Sequence, residues 1–152
     1  MHDLKELYQE LILDHSKQPR NFRELDDASD RAKGNNPLCG DQIDIYLKLE
    51  NDVIDDISFH GTGCAISTAS ASMMTEALKG KTKKEVQELF ERFQDVVTGK
   101  NGSSAASKAL GKLAVFAGVR EFPVRVKCAT LAWHTVRAAL DEDKDREIVS
   151  TE

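Results

Sequence analysis

Two hydrophobic periodicities divide this sequence, and the order in which they occur limits the folds open to it. Ile43, Ile45, Leu47 and Leu49 alternate with Gln42, Asp44, Tyr46 and Lys48, the period-2 mark of a strand with one buried face. Glu50-Asn51-Asp52 reads as a turn, and Val53 to His60, with Ile57 and Phe59 on one side, as a second, less regular strand. The two are expected to pair as an antiparallel hairpin. Elsewhere the spacing is helical. Leu4, Leu7, Tyr8, Leu11 and Ile12 share one face behind the capping pair Asp3 and Glu6, in a helix that should stop before Pro19. Ala65 to Lys79, rich in Ala, Ser and Met, is closed by Gly80. Thr82 with Glu85 predicts a second capping box, for a helix that turns Val86, Leu89, Phe90, Phe93 and Val97 inward and ends near Gly99. Gly99 to Ser104 reads as a flexible connector. Leu110, Leu113, Ala114 and Ala117 predict a short helix capped by Gly118, and Pro123 separates it from a last helix over Val124 to Leu140. Strands come early and helices late, which predicts an α+β fold: a small antiparallel sheet packed against about five helices.

The 152 residues suffice for one core and are short of two ordinary domains. A single domain is expected over 1–140, followed by an acidic tail over 141–152. Arg20 to Pro37 is polar and charged, and with the turn signal Gly34-Asn35-Asn36-Pro37 it reads as a loop leading to Cys39. Hydrophobic residues at 40% and charged residues at 31% describe a globular chain with no run long enough to span a membrane. A net charge of −5, with acids spread along the chain and no basic stripe, argues against a nucleic-acid partner. The first 18 residues lack the basic start and continuous apolar centre of a secretory signal, so a cytoplasmic location is expected.

Three cysteines cannot all pair within one chain, and in a reducing compartment metal binding or thiol chemistry explains them better than disulfides. Each sits beside structural punctuation. Cys39 follows a proline-containing turn, Cys64 follows Gly61-Thr62-Gly63 at a helix start, and Cys128 falls in the first turns of the last helix, beside Arg125 and Lys127. A thiol at a helix N-terminus faces unpaired backbone N–H groups and the positive end of the dipole, which favour the thiolate that binds metal or attacks sulfur. Asp41, two residues from Cys39 across Gly40, can point the same way in an extended or turned backbone. Three thiolates and one carboxylate make a four-coordinate set suited to zinc, and more labile than an all-cysteine site. Against this, none of the spacings is a C-x-x-C knuckle, an aspartate after glycine is commonly a turn residue, and a free cysteine is commonly a small buried hydrophobe. Spacing alone leaves both readings open.

Other candidates are weaker. Gly61-Thr62-Gly63 and Gly99 to Ser104 lack phosphate-loop spacing and read as hinge and linker. His2, His15, His60 and His134 form no i, i+4 pair, and His60 or His134 would be needed as the base of a cysteine hydrolase, with nothing in the sequence to order either. Ser67, Ser70 and Ser72 read as small packing residues of a helix, and Met73 and Met74 as core.

Taken together, Asn36-Pro37-Leu38-Cys39-Gly40-Asp41, Gly61-Thr62-Gly63-Cys64-Ala65-Ile66-Ser67 and Arg125-Val126-Lys127-Cys128-Ala129-Thr130-Leu131-Ala132-Trp133 closely resemble the U-type iron-sulfur assembly proteins, the IscU/SufU family. The resemblance runs from the first helix to about Leu140. Lys127 stands where IscU-type scaffolds carry a histidine, the segment between Cys64 and Cys128 is longer than in that branch, and the double proline of the IscU chaperone motif is absent from Phe122 to Lys127. These features resemble the SufU branch. The resemblance implies an IscU/SufU-like fold, a zinc ion held by Cys39, Asp41, Cys64 and Cys128, and persulfide sulfur taken onto Cys39 from a pyridoxal-phosphate cysteine desulfurase of the SufS type. Downstream iron-sulfur assembly proteins would receive it, with Arg125 and Lys127 in support. Two alternatives accompany this expectation: a scaffold on which the same ligands assemble a transient iron-sulfur cluster, and a structural zinc domain without chemistry.

Overall fold

In the computed structural model, which describes residues 4–37, 40–99, 110–140 and 149–150, the foreseen hairpin is present and extends further at its open end. Strand β2 spans Asp41–Glu50 and β3 spans Val53–Thr62. Asn51 and Asp52 join them at φ of 53° and 63°, the pair of left-handed conformations that a two-residue hairpin loop requires and that Asn and Asp tolerate. Ile45, Leu47 and Ile57 on the inner face are fully buried.

The expected loop over Arg20 to Pro37 is corrected by the structure: Asp30–Asn36 forms strand β1, antiparallel to β2, with Gly34 opposite Ile43 and Asn36 opposite Asp41. No apolar alternation announces it, because its inward residues are Ala32, Gly34 and Asn36. They are small for a steric reason. A Cβ on Gly34 would lie 2.1 Å from Thr135 Oγ1 and 3.1 Å from Leu131 Cδ1, so the last helix sits directly on this strand. Val149–Ser150, within the stretch expected as a tail, forms β4 and pairs parallel with Gly34 and Asn35. The sheet order is β3-β2-β1-β4.

The helices are α1 (Leu4–Lys17), α2 (Ala65–Leu78), α3 (Lys83–Thr98), a 3-10 helix over Gly111–Glu121 and α4 (Pro123–Leu140). Thr82 and Glu85 make the predicted capping box in both directions, and Gly99 ends α3 at φ 75°. The 3-10 helix runs past Gly118, the expected cap, since Val119 adds to the core and no left-handed turn occurs at that glycine. Helix α4 crosses β1 and β2, α2 lies against β3 and α4, and α1 packs on α2. Among the described residues no helix is long and apolar enough to cross a membrane. Trp133 and Phe93 stack with centroids 4.4 Å apart in the core. The Trp133 indole N–H donates to Ser70 Oγ at 3.2 Å, and Ser70 donates in turn to the Ala129 carbonyl at 2.5 Å. The small residues of α2 therefore permit the close approach of α4 and also satisfy its polar groups.

A similar pairing ties α1 to α2. Buried His15 places Nδ1 2.7 Å from Ser72 Oγ and Nε2 3.7 Å from Glu76. Ser72 Oγ also accepts the Arg20 N–H at 2.8 Å. Burial, followed by the Arg20 charge, lowers the His15 pKa; burial, followed by Arg137, lowers that of His134. The unfolded chain therefore takes up these protons at a higher pH than the folded one. Stability should decline as pH falls below about 6.5, the unfolded value, toward the lower folded values. Melting temperature followed across that window should fall less steeply for His15→Gln than for the parent; equal slopes would remove His15 from the account.

Candidate metal centre

Three elements bring their N-terminal ends together at one end of the sheet's strands. Gly40, at φ 73°, turns the chain into β2, whose first residue is Asp41. Cys64 follows β3 after one residue, Gly63, and is the N-cap of α2, and Cys128 lies in the second turn of α4. Asp41 and Cys128 are 1% and 3% exposed, whereas Cys64 remains accessible. One ligand atom from each of Asp41, Cys64 and Cys128 lies within 4.8 Å of the others.

The second layer holds this arrangement. Asp41 Oδ1 accepts the Cys64 backbone N–H at 2.8 Å, and Oδ2 lies 3.8 Å from Cys64 Sγ, so the carboxylate faces a helix N-terminus and a thiol together. Cys64 Sγ accepts the Ser67 N–H at 3.4 Å, and Asn36 Nδ2 donates to Cys128 Sγ at 3.8 Å. The Gly61-Thr62-Gly63 segment is shaped by close approach. A Cβ on Gly61 would lie 2.1 Å from the Gln42 carbonyl oxygen, and one on Gly63 would lie 3.0 Å from Asp41 Oδ1. Two sulfurs and a carboxylate from separate elements, two of the three residues buried, form a donor set that fits zinc.

Of the residues singled out from the sequence, the structure gathers Asp41, Cys64 and Cys128. Cys39 lies outside the described residues. The two ends of its loop are tied by the Gly40 N–H, which donates to the Asn36 carbonyl at 2.8 Å. Arg125 is exposed, with its guanidinium carbon 4.6 Å above the Phe122 ring, and Lys127 is half-buried. His60 packs on Phe22 and His134 on Phe90, and neither joins the cysteine cluster. Asn36 and Ser67 were not recognised in advance as partners of the thiols. Asn36, before a proline, carried only a turn signal, and Ser67 contributes a backbone N–H that depends on where the helix begins.

A family model described as the NifU-like N terminal domain matches residues 7–129. The chain is 44% identical to the iron-sulfur cluster assembly scaffold protein IscU of Streptococcus pyogenes serotype M1, covering 90% of this chain and 84% of that protein. It is 41% identical to the zinc-dependent sulfurtransferase SufU of Bacillus subtilis strain 168, over 93% of this chain and 95% of that protein. A crystal structure of an iron-sulfur cluster assembly scaffold protein for the SUF system, from Fervidobacterium islandicum AW-1, superposes with a TM-score of 0.81 at 35% identity, covering 91% of this chain and all of that one.

Proposed function

The chain belongs to the family of NifU-like N-terminal domains, with relatives among the IscU and SufU iron-sulfur cluster assembly proteins, and on that basis we propose that it is a zinc-dependent sulfurtransferase. In this reading Cys39 accepts persulfide sulfur from a SufS-type cysteine desulfurase in the cytoplasm and passes it to downstream iron-sulfur assembly proteins. The observation that carries it is the convergence of the Asp41, Cys64 and Cys128 ligand atoms within 4.8 Å, at the end of β1 from which the Cys39 loop departs. Lys127 in the position of the scaffold histidine leaves three thiols and one carboxylate as the donor set.

Zinc bound by Cys39, Asp41, Cys64 and Cys128 would keep the thiols as thiolates and protect them from oxidation. On docking, Cys39 would be freed for attack, while Asp41, Cys64 and Cys128 would be the residues that hold the ion. The Cys39 thiolate then attacks the outer sulfur of the desulfurase persulfide. A sulfur-sulfur bond forms to Cys39, the persulfide bond on the desulfurase breaks, and its cysteine departs as thiolate with the electron pair. The exchange is balanced and needs no external oxidant. Asp41 accepts the Cys64 N–H throughout, so loss of Cys39 does not release the start of α2. Arg125 and Lys127, near the start of α4, supply positive charge for the incoming anionic sulfur or for the partner's surface.

The test is the rate of sulfide release by a cysteine desulfurase given cysteine and reductant, with and without the zinc-loaded protein. Stimulation is expected for the parent, and a Cys39→Ala protein should give none. A fully active Cys39→Ala protein would overturn the assignment. The scaffold reading is favoured by the names of the 44% identical Streptococcus relative and of the Fervidobacterium protein whose structure superposes on this chain. On it, anaerobic reconstitution with iron and sulfide should yield a stable chromophore that transfers to an acceptor apoprotein.

A further inference from the structure

Asn36 is fully buried at the end of β1, where nothing about a turn residue requires burial. Its cross-strand partner is Asp41, and directly opposed residues of a pair turn their side chains to the same face. Two of its groups reach different parts of the site. The side-chain amide Nδ2 donates to Cys128 Sγ at 3.8 Å, and the backbone carbonyl accepts the Gly40 N–H at 2.8 Å. One residue therefore touches the most deeply buried of the described cysteines and anchors the loop that carries Cys39. A buried thiolate in a site of low dielectric has no water to solvate it, so a fixed N–H donor stabilises its charge and lowers its nucleophilicity. Cys64 receives the equivalent donor from the Ser67 backbone, which no side-chain change can remove. Cys128 receives it from a side chain.

We propose that Asn36 is a positioning residue that keeps Cys128 on the metal as a permanent ligand and prevents it from taking sulfur, leaving Cys39 as the acceptor. The inference rests on the sulfurtransferase reading above and extends it by naming the group that distinguishes the thiols. The donor also tunes the metal. Withdrawing density from the Cys128 sulfur stabilises its lone pairs, so removing the amide should shift the sulfur-to-metal charge-transfer band to lower energy; the same contact holds the sulfur in one orientation, and loss of outer partners that orient a ligand typically lowers metal affinity by about 10–100-fold.

The experiment uses cobalt(II) and zinc binding to the full chain, followed by mapping of persulfide after reaction with a desulfurase. Two variants are compared with the parent: Asn36→Leu, with the same number of side-chain heavy atoms and no donor, and Asn36→Ser, smaller and one bond too short to reach Cys128. Expected for either folded variant are a red-shifted cobalt charge-transfer band, zinc affinity weakened by about 10–100-fold, and persulfide found on Cys128 as well as Cys39. An unshifted band with parental affinity, or persulfide confined to Cys39 in both variants, would overturn the role given to Asn36. Because cobalt and zinc binding are read without a desulfurase, a parent that binds metal but accepts no sulfur sinks the sulfurtransferase reading, whereas variants that bind and react as the parent sink only this one. If the larger variant does not fold, Asn36→Ser decides the outcome.

Discussion

An Asp41→Ala protein should be isolated with little zinc, and its melting temperature should no longer respond to chelation, whereas Asp41→Asn should lose zinc affinity yet keep the metal-free stability of the parent. The difference follows from the two jobs of one carboxylate. Oδ1 accepts the Cys64 N–H at 2.8 Å, and Oδ2 faces the Cys64 thiol at 3.8 Å, beside the Cys128 sulfur. Alanine removes both, and the Cys64 N–H at the start of α2 loses its acceptor, a loss of about 1 kcal/mol at this part-buried position. Asparagine keeps an oxygen for that N–H but replaces an anionic oxygen ligand with a neutral amide, a poorer partner for zinc. For the parent, metal at 100-fold above its dissociation constant adds about 2.7 kcal/mol, so chelation should lower the melting temperature by about 5–10 °C for a chain of this size. Scanning calorimetry with and without chelator, together with zinc analysis of the purified proteins, reads both effects. Equal zinc retention by Asp41→Ala and the parent would exclude Asp41 as a ligand.

Among the described glycines, Gly61→Ala should be the most damaging substitution, since it combines a positive φ with a backbone overlap. At φ 143° the position lies in a region that side chains avoid. Its new Cβ would sit 2.1 Å from the Gln42 carbonyl oxygen and 3.0 Å from Ile43 Cα. Those are backbone atoms of the neighbouring strand, so no rotamer change relieves the overlap, and β3 must move away from β2 just before Cys64. Strain and overpacking of this kind each cost about 1–3 kcal/mol, which corresponds to a drop of roughly 5–15 °C in melting temperature. Metal retention should fall with it, because the displaced segment carries Cys64 away from Asp41. Gly40→Ala provides the contrast: it shares a positive φ, but among the described residues beyond its chain neighbours no heavy atom lies within 4 Å of the added carbon. It should therefore lose only the cost of the backbone conformation, on the order of 1 kcal/mol. Equal melting temperatures for the two variants would show that the Gln42 contact is not limiting.

What was legible in advance was whatever depends on near neighbours in the chain. The β2–β3 hairpin follows from alternation around Asn51-Asp52, the capping box from Thr82 and Glu85, and the placement of Cys64 at a helix start from the punctuation before it. The cysteine motifs, read in order, also marked the family. Strand β1 was illegible because its inward residues are Ala32, Gly34 and Asn36, whose small size answers to a helix contributed about a hundred residues later. β4 is two residues long and exists through its pairing with β1, so no local pattern could announce it.

The same division runs through the site. Residue chemistry and capping are local properties, so the order of residues alone marks the side chains able to serve as ligands and puts one thiol at a helix N-terminus. That Asp41, Cys64 and Cys128 meet within 4.8 Å, and that Asn36 and the Ser67 N–H each donate to a sulfur, follows from packing. Their meeting depends on β2, α2 and α4 starting at one end of the sheet's strands. That arrangement is set by strand register and by how closely α4 can approach Gly34, which are packing outcomes that no local stretch of the chain encodes.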